Sequence, residues 1–183
     1  MKRILLVFIS LWGMKSFAQE QSNNRAVKNL TGAQIGILHI GVYDELRLSD
    51  NFVLRGEIML NAALWDRKFS SGTNFAVFPM VEITPKYYYN FKRRLEKSKN
   101  TQNNSANYFA LNFSYSPDWL ITSNKNDLMV NNAIAIIPTY GIRRNFAKNF
   151  NYEFATGLGY AKNIDTKESW AALHLSIALG YDF

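Results

Sequence analysis

Apolar residues recur at every second position in several separate stretches of this chain. At the C-terminus Ala171, Leu173, Leu175, Ile177, Leu179, Tyr181 and Phe183 alternate with Ala172, His174, Ser176, Ala178, Gly180 and Asp182. A period of two sustained over this length is that of a strand, whose successive side chains point to opposite faces; a helix would repeat every 3.6 residues. Phe150, Tyr152, Phe154, Leu158 and Tyr160 alternate in the same way with Asn151, Glu153, Ala155, Gly157 and Gly159. Further stretches centre on Ile134 to Ile142, Phe109 to Tyr115, Val77 to Tyr89 and Phe52 to Leu64. One more covers residues 34–48, with Leu38, Ile40, Val42, Leu46 and Leu48 against His39, Glu45 and Arg47. Asp44 falls among its apolar positions, which suggests a bulge. The pattern predicts seven strands with no helix between them. A short eighth strand is expected near residues 26–33, where alternation is poor.

The composition of the two faces decides what the strands build. A soluble barrel turns its apolar side chains inward and presents charge to water. Here the second face is mostly Gly, Ala, Ser and Asn. Small side chains suit the narrow lumen of eight strands, and the large apolar residues then point outward, which lipid tolerates. The expected fold is all-β: a single antiparallel up-and-down transmembrane β-barrel. Aromatic residues gather at both strand ends, with Tyr87, Tyr89, Phe150, Tyr152, Tyr181 and Phe183 at one and Tyr115, Trp119, Tyr160 and Trp170 at the other. Two aromatic belts are what two membrane–water boundaries call for.

The first eighteen residues read as a secretory signal: Lys2 and Arg3, then an apolar run from Ile4 to Gly13, then Ser16-Phe17-Ala18 before a cut. Lys15 ends the run too early for a spanning helix. The expected division is a signal peptide at 1–18, an N-terminal segment at 19–33 holding a possible short strand, and the barrel at 34–183. Removing Lys2, Arg3 and Lys15 from 21 basic residues leaves 18 against 14 acidic, a surplus of four. That is ordinary and gives no reason to expect nucleic-acid binding. With no cysteine there is no disulfide framework and no thiolate metal site.

A final strand of alternating apolar residues closing on Phe183 resembles the assembly signal of outer-membrane barrels. The run from Gly41 through Ser49-Asp50-Asn51 to Glu57 resembles a strand–turn–strand unit of the small OmpA/OmpX-like barrels of Bacteroidota, as do Pro85-Lys86-Tyr87-Tyr88-Tyr89-Asn90 and Gly141-Ile142-Arg143-Arg144. The resemblance covers most of the chain after residue 18. It implies an outer-membrane location, contact with outer-membrane lipids, and recognition of Ile177, Leu179, Tyr181 and Phe183 by the barrel assembly machinery. It also implies that Phe183 is periplasmic, together with the turns at 49–51 and 147–149 and the connection at 91–105. The segments at 66–74, 117–129 and 163–168 would then be external. The resemblance implies no activity.

Candidate chemistry lies on the inner face. Glu45, Arg47, Arg55, Glu57, Glu82, Lys86, Arg143 and Glu153 all fall there, four acids against four bases. They could form a filter in a narrow channel, but eight strands leave so little room that salt bridges plugging a closed barrel are expected instead. His174 and Ser176 have the His-x-Ser spacing that resembles lipid A deacylases. Those enzymes need an acid downstream, and only Asp182 follows. His39 lacks companion ligands, so no metal and no cofactor is expected. In the connection 91–105, Lys92, Arg93, Arg94, Lys97 and Lys99 surround Glu96. This is a possible basic patch for anionic headgroups or another envelope polymer, although a solvated turn explains it as well. The expected role is structural or interactive within the envelope, ahead of a narrow channel and then of a lipid A-modifying enzyme.

Overall fold

The computed structural model describes residues 25–66, 73–119, 121–124 and 132–183. The expected signal peptide lies outside them, as do parts of the segments at 66–74 and 117–129. The described chain forms strands β1 (Asn29–Gly36), β2 (His39–Ser49), β3 (Phe52–Asp66), β4 (Thr73–Tyr88), β5 (Asn107–Ser116), β6 (Thr122–Ser123), β7 (Ala133–Phe146), β8 (Phe150–Asn163) and β9 (Ser169–Asp182). Each of the long strands pairs antiparallel with its neighbours, and β1 closes the ring on β9, with Gly32 opposite Asp182 and Ile35 opposite Leu179. Eight strands therefore make a closed barrel. β6 is an accessory that pairs Thr122 and Ser123 with Val77 and Ala76 of β4.

The alternation read from the sequence is the alternation of the wall. Leu173, Leu175, Ile177 and Leu179 are exposed on the outside, while Ala178, Gly180 and Asp182 are buried inside. Among the described residues, exposed large apolar side chains outnumber buried hydrophobic ones. Both aromatic groups lie on the outer surface. At the Phe183 end they form contacts around the rim: Phe146 on Phe150, Phe150 on Tyr181 and Tyr181 on Phe183, at ring separations of 6.0, 5.0 and 5.7 Å.

Several expectations need correction. The eighth strand exists, but it runs from Asn29 to Gly36, so the barrel begins before residue 34 and β2 begins at His39. No bulge occurs at Asp44: the β2–β3 register is continuous from His39 to Arg47 and shifts only between Arg47 and Ser49. Asp44 simply takes the outer face and accepts a hydrogen bond from Thr31 Oγ1 on β1 at 2.6 Å. The connection 91–105 is neither free of helix nor a solvated turn. It holds α1 (Phe91–Glu96) and a 3-10 turn at Gln102–Asn104, with Phe91, Asn103, Asn104, Ser105 and Ala106 buried. Phe91 packs with Ala26, Val53, Tyr88, Ala106 and Tyr108 into a small apolar cluster that caps the barrel at this end.

Candidate functional site

Among the described residues it is the lumen that gathers chemistry-bearing side chains, and period-two alternation is what gathers them. Glu153 on β8 is the hub. Its carboxylate meets Lys86 Nζ at 2.7 Å, Arg143 Nη1 at 3.0 Å and Arg55 Nη1 at 3.1 Å, and accepts the Tyr108 hydroxyl. Glu45 on β2 is a second hub, reached by Lys86 at 3.0 Å and Arg55 at 3.5 Å, and by Asn104 Nδ2 of the cap at 2.7 Å. Arg55 also pairs with Glu57 at 2.8 Å and donates to Gln34 Oε1 of β1 at 2.8 Å. Arg143 reaches Asp182 of β9 at 2.5 Å and Tyr43 Oη at 2.9 Å, and donates to the Asn103 carbonyl at 2.9 Å. The network thus touches all eight barrel strands and the cap.

Such a layer holds only when every member is served. Taking charges out of water costs several kcal/mol per ion, and mutual attraction offsets this when geometry and extra hydrogen bonds are good. Tyr43, Tyr88 and Tyr108 supply hydroxyls, and Tyr43 and Tyr108 also ring faces. The Arg55 guanidinium lies 3.9 Å from the Tyr43 ring centre and Lys86 Nζ 4.4 Å from that of Tyr108. Two glycines make room: a Cβ on Gly32 would strike the Tyr43 ring, and one on Gly141 the Tyr108 ring.

Six of the eight charges expected on the inner face belong to this layer. The other two do not. Arg47 donates instead to the Ala26 carbonyl at 2.9 Å, at the rim. Glu82 sits further along the lumen, bonded to Thr84 and Asn112, and makes no ion pair among the described residues. Asp182 takes a place instead. The layer therefore has four acids, Glu45, Glu57, Glu153 and Asp182, against Arg55, Lys86 and Arg143, which corrects the expected four-to-four balance.

Beyond this layer, away from Phe183, lies a cavity of about 510 Å³. Its walls include Glu82, Asn112, Met59, Met80, Phe78 and Ile137, and both histidines face it. His39 lies 3.4 Å from Gln34, whereas His174 and Ser176 make no hydrogen bond to each other. Asp182, the acid that would complete their constellation, is held by Arg143 and by Tyr43 at 2.5 Å. Among the described residues no cluster of His, Cys, Asp or Glu is arranged to hold a metal.

On the outside of the cap, Lys92, Arg93, Lys97 and Lys99 are exposed and Arg94 is partly buried. Arg94 donates to the Asn100 carbonyl at 2.8 Å. Burial, and then the neighbouring Arg144 guanidinium, hold Arg94 below its usual pKa. Comparison with family models, curated proteins and solved structures gives no match, so nothing outside the chain assigns a role to lumen or cap.

Sequence reasoning passed over Tyr43, Tyr108, Asn103 and Asn104. The first was legible, since it shares the phase of Glu45. Tyr108 shares the phase of Ala110 and Asn112, one residue before the expected strand began. The two asparagines carried no periodic signal, because they reach the lumen from a folded connection.

Proposed function

We propose that this chain is an integral outer-membrane β-barrel with a closed lumen, serving a structural or interaction role in the cell envelope. The observation that carries this reading is the inversion of the wall, aliphatic outside and ion-paired inside. Apolar patches beyond a few hundred Å² are rare on soluble monomers. Here the outer surface of the wall is apolar around most of its circumference. Fourteen-residue strands such as β7, β8 and β9 suit a crossing, because a tilted strand needs roughly 9–11 residues in the hydrocarbon. Export by a signal cleaved after Ala18 belongs to the same reading, as does the likeness to OmpA/OmpX-like barrels. Outer-membrane lipids would be the main partner of the wall. The assembly machinery would meet the face of Ile177, Leu179, Tyr181 and Phe183. The basic residues of the cap would lie at the periplasmic surface, open to anionic headgroups or an envelope polymer.

A narrow channel is less well supported, because any path must pass Glu45, Arg55 and Arg143, which are almost fully buried and linked through Glu153 in one ion-paired layer. A lipid A-modifying site is less well supported again, given the committed Asp182. Cell fractionation is expected to recover the protein, shortened at Ala18, in the outer membrane, and the folded form should migrate differently from boiled protein on a gel. Recovery as a soluble periplasmic protein would end this reading. In planar bilayers no large steady conductance is expected; a large wild-type conductance altered by Arg55→Ala would establish the channel instead. Deleting Phe183 should impair insertion in cells far more than refolding in detergent, since the ring is exposed while its backbone N–H bonds Thr31 O at 2.9 Å. Equal insertion of both forms would remove the assembly-signal role of the last strand.

A further inference from the structure

Part-way along the lumen the ion pairing stops among the described residues. Glu82 on β4 faces the cavity. Its Oε1 accepts from Thr84 Oγ1 at 2.9 Å and from Asn112 Nδ2 at 3.0 Å. Its Oε2 has no donor among the described residues, and no cation lies within ion-pair distance. Glu57 stands directly opposite on β3, and Arg55 serves Glu57 rather than Glu82. Like charges directly opposite in an antiparallel sheet are destabilising, and Glu82 is half-buried, with Oε2 not among the sealed polar atoms.

Asn112 on β5 makes an independent second observation. It is 5% exposed, donates its amide to Glu82, and leaves its Oδ1 with no donor. A buried carbonyl oxygen without a partner is rare and calls for an explanation. Glu82 and Asn112 come from neighbouring strands, are joined by the bond from Asn112 Nδ2 to Glu82 Oε1, and line the same cavity. Charge points the same way. With Glu82 added, five carboxylates occupy the lumen against three cations among the described residues, the other acids being those of the ion-paired layer. Met59, Met80, Phe78 and Ile137 give the cavity an apolar side, while the ion-paired layer lines its floor, with Arg55 and Lys86 already held by carboxylates. A bare metal ion would want several hard or imidazole ligands together, and among the described residues no such group exists. An apolar wall with acceptors at one side asks for an organic group instead. At about 510 Å³ the space lies within the range of small-molecule sites.

We propose that this cavity binds a small organic cation, an ammonium or guanidinium group on a short apolar body, with Glu82 as its counter-ion and Asn112 Oδ1 as its second acceptor. Asn61 Nδ2, a buried donor in the same wall that also lacks a partner, offers a place for a hydroxyl or carbonyl oxygen of the ligand. The site goes beyond the envelope reading and needs only the barrel, wherever the barrel resides.

The test uses the folded barrel in nonionic detergent, with side-chain amide NMR signals as the readout and butylammonium as the probe. Neutral 1-butanol and anionic butyrate have the same apolar body and serve as comparisons. Butylammonium is expected to shift the Asn112 amide saturably, with 1-butanol and butyrate weaker. Removing a charge-assisted contact is worth roughly a tenfold to hundredfold loss in affinity, and Glu82→Gln should show it. Asn112→Ala, followed on the Asn61 side-chain amide of the same cavity, should weaken binding several-fold and carries the same prediction should Glu82→Gln fail to refold. Glu96→Gln, exposed on the cap, should leave binding unchanged. Equal affinity for butylammonium and 1-butanol would overturn the proposal, as would undiminished binding in Glu82→Gln. So would the absence of a saturable shift in a sample whose backbone amides show the folded sheet.

Discussion

Toward Phe183, every charge of the ion-paired layer has an opposite charge within 3.5 Å; past it, Glu82 has none among the described residues, although both lie inside one barrel wall. The two halves of the lumen are made from the same alternating strands, so the difference lies in which residues occupy the inward positions. Near Phe183 they are long and charged, with three tyrosines among them, and a folded connection fills the remaining space with Phe91, Asn103 and Asn104. Further along they are Ala, Ser, His and Met, which reach too short a distance, or pair too weakly, to close the space. The comparison separates stability from binding. The closed half couples all eight strands and should govern unfolding, while the open half tolerates change and leaves room for a ligand.

Removing one cation from the closed half has the largest expected effect. Arg143 is fully buried and holds Glu153, Asp182, Tyr43 and the cap together. Arg143→Ala leaves carboxylates buried with fewer partners, and breaking such a pair costs about 3–5 kcal/mol. Urea titration of the refolded barrel in detergent should show a loss of that size. A change under about 1 kcal/mol, well below the usual cost of orphaning a buried charge, would mean that the layer is wetter than its geometry suggests.

A smaller contrast uses apolar side chains. Val53 is fully buried in the cluster under the cap, and Met80 lines the cavity. Val53→Ala opens space in packed surroundings, with an expected cost of about 2 kcal/mol from two lost methyl groups and the void they leave. Met80→Ala only widens an existing cavity, so the void term is largely absent and the cost should stay under about 1 kcal/mol. Equal losses in the same titration would erase the distinction between the halves.

How much of this could be read beforehand follows the same division. The wall was legible because alternation is a local property, and Leu173 to Phe183 shows it without interruption. β1 was not, because its outward positions at Asn29 and Thr31 are polar and meet Asp44 on the neighbouring strand; the pattern is completed only by pairing. The inward charges could be named, but their partners could not. Arg47 and Glu82 differ from Arg143 and Glu153 only in height along the lumen, and height depends on register. The cap was hidden for another reason. Lys92, Arg93, Lys97 and Lys99 mark its solvent side so strongly that the buried Phe91, Asn103 and Asn104 between them go unnoticed. Glu82 and Asn112 each had an unremarkable place in a strand, and only the cavity between strands makes them a site.

The smallest expected effect tests whether the closed half extends to its turns. Between β7 and β8, Ala147 and Lys148 both adopt left-handed conformations, with φ of 46° and 61°. Neither residue favours that region, and the strain is about 1–2 kcal/mol per residue. The surroundings hold them there. Asn145 Nδ2 donates to the Lys148 carbonyl at 2.9 Å and to the Phe150 carbonyl at 3.1 Å, while Asp182 N bonds Asn149 O at 2.8 Å. Ala147→Gly relieves the strain at one position but gives the unfolded chain more freedom, which costs about 0.4–1 kcal/mol. The balance is a gain of roughly 0.5 kcal/mol, visible as a small rise in the urea midpoint without a change in slope. Asn145→Ala removes the side-chain support and should have the opposite sign, since two carbonyls lose their donor. If Ala147→Gly instead lowers the midpoint, the turn is not strained, and its shape is set by local preference rather than by the packed end of the barrel it closes.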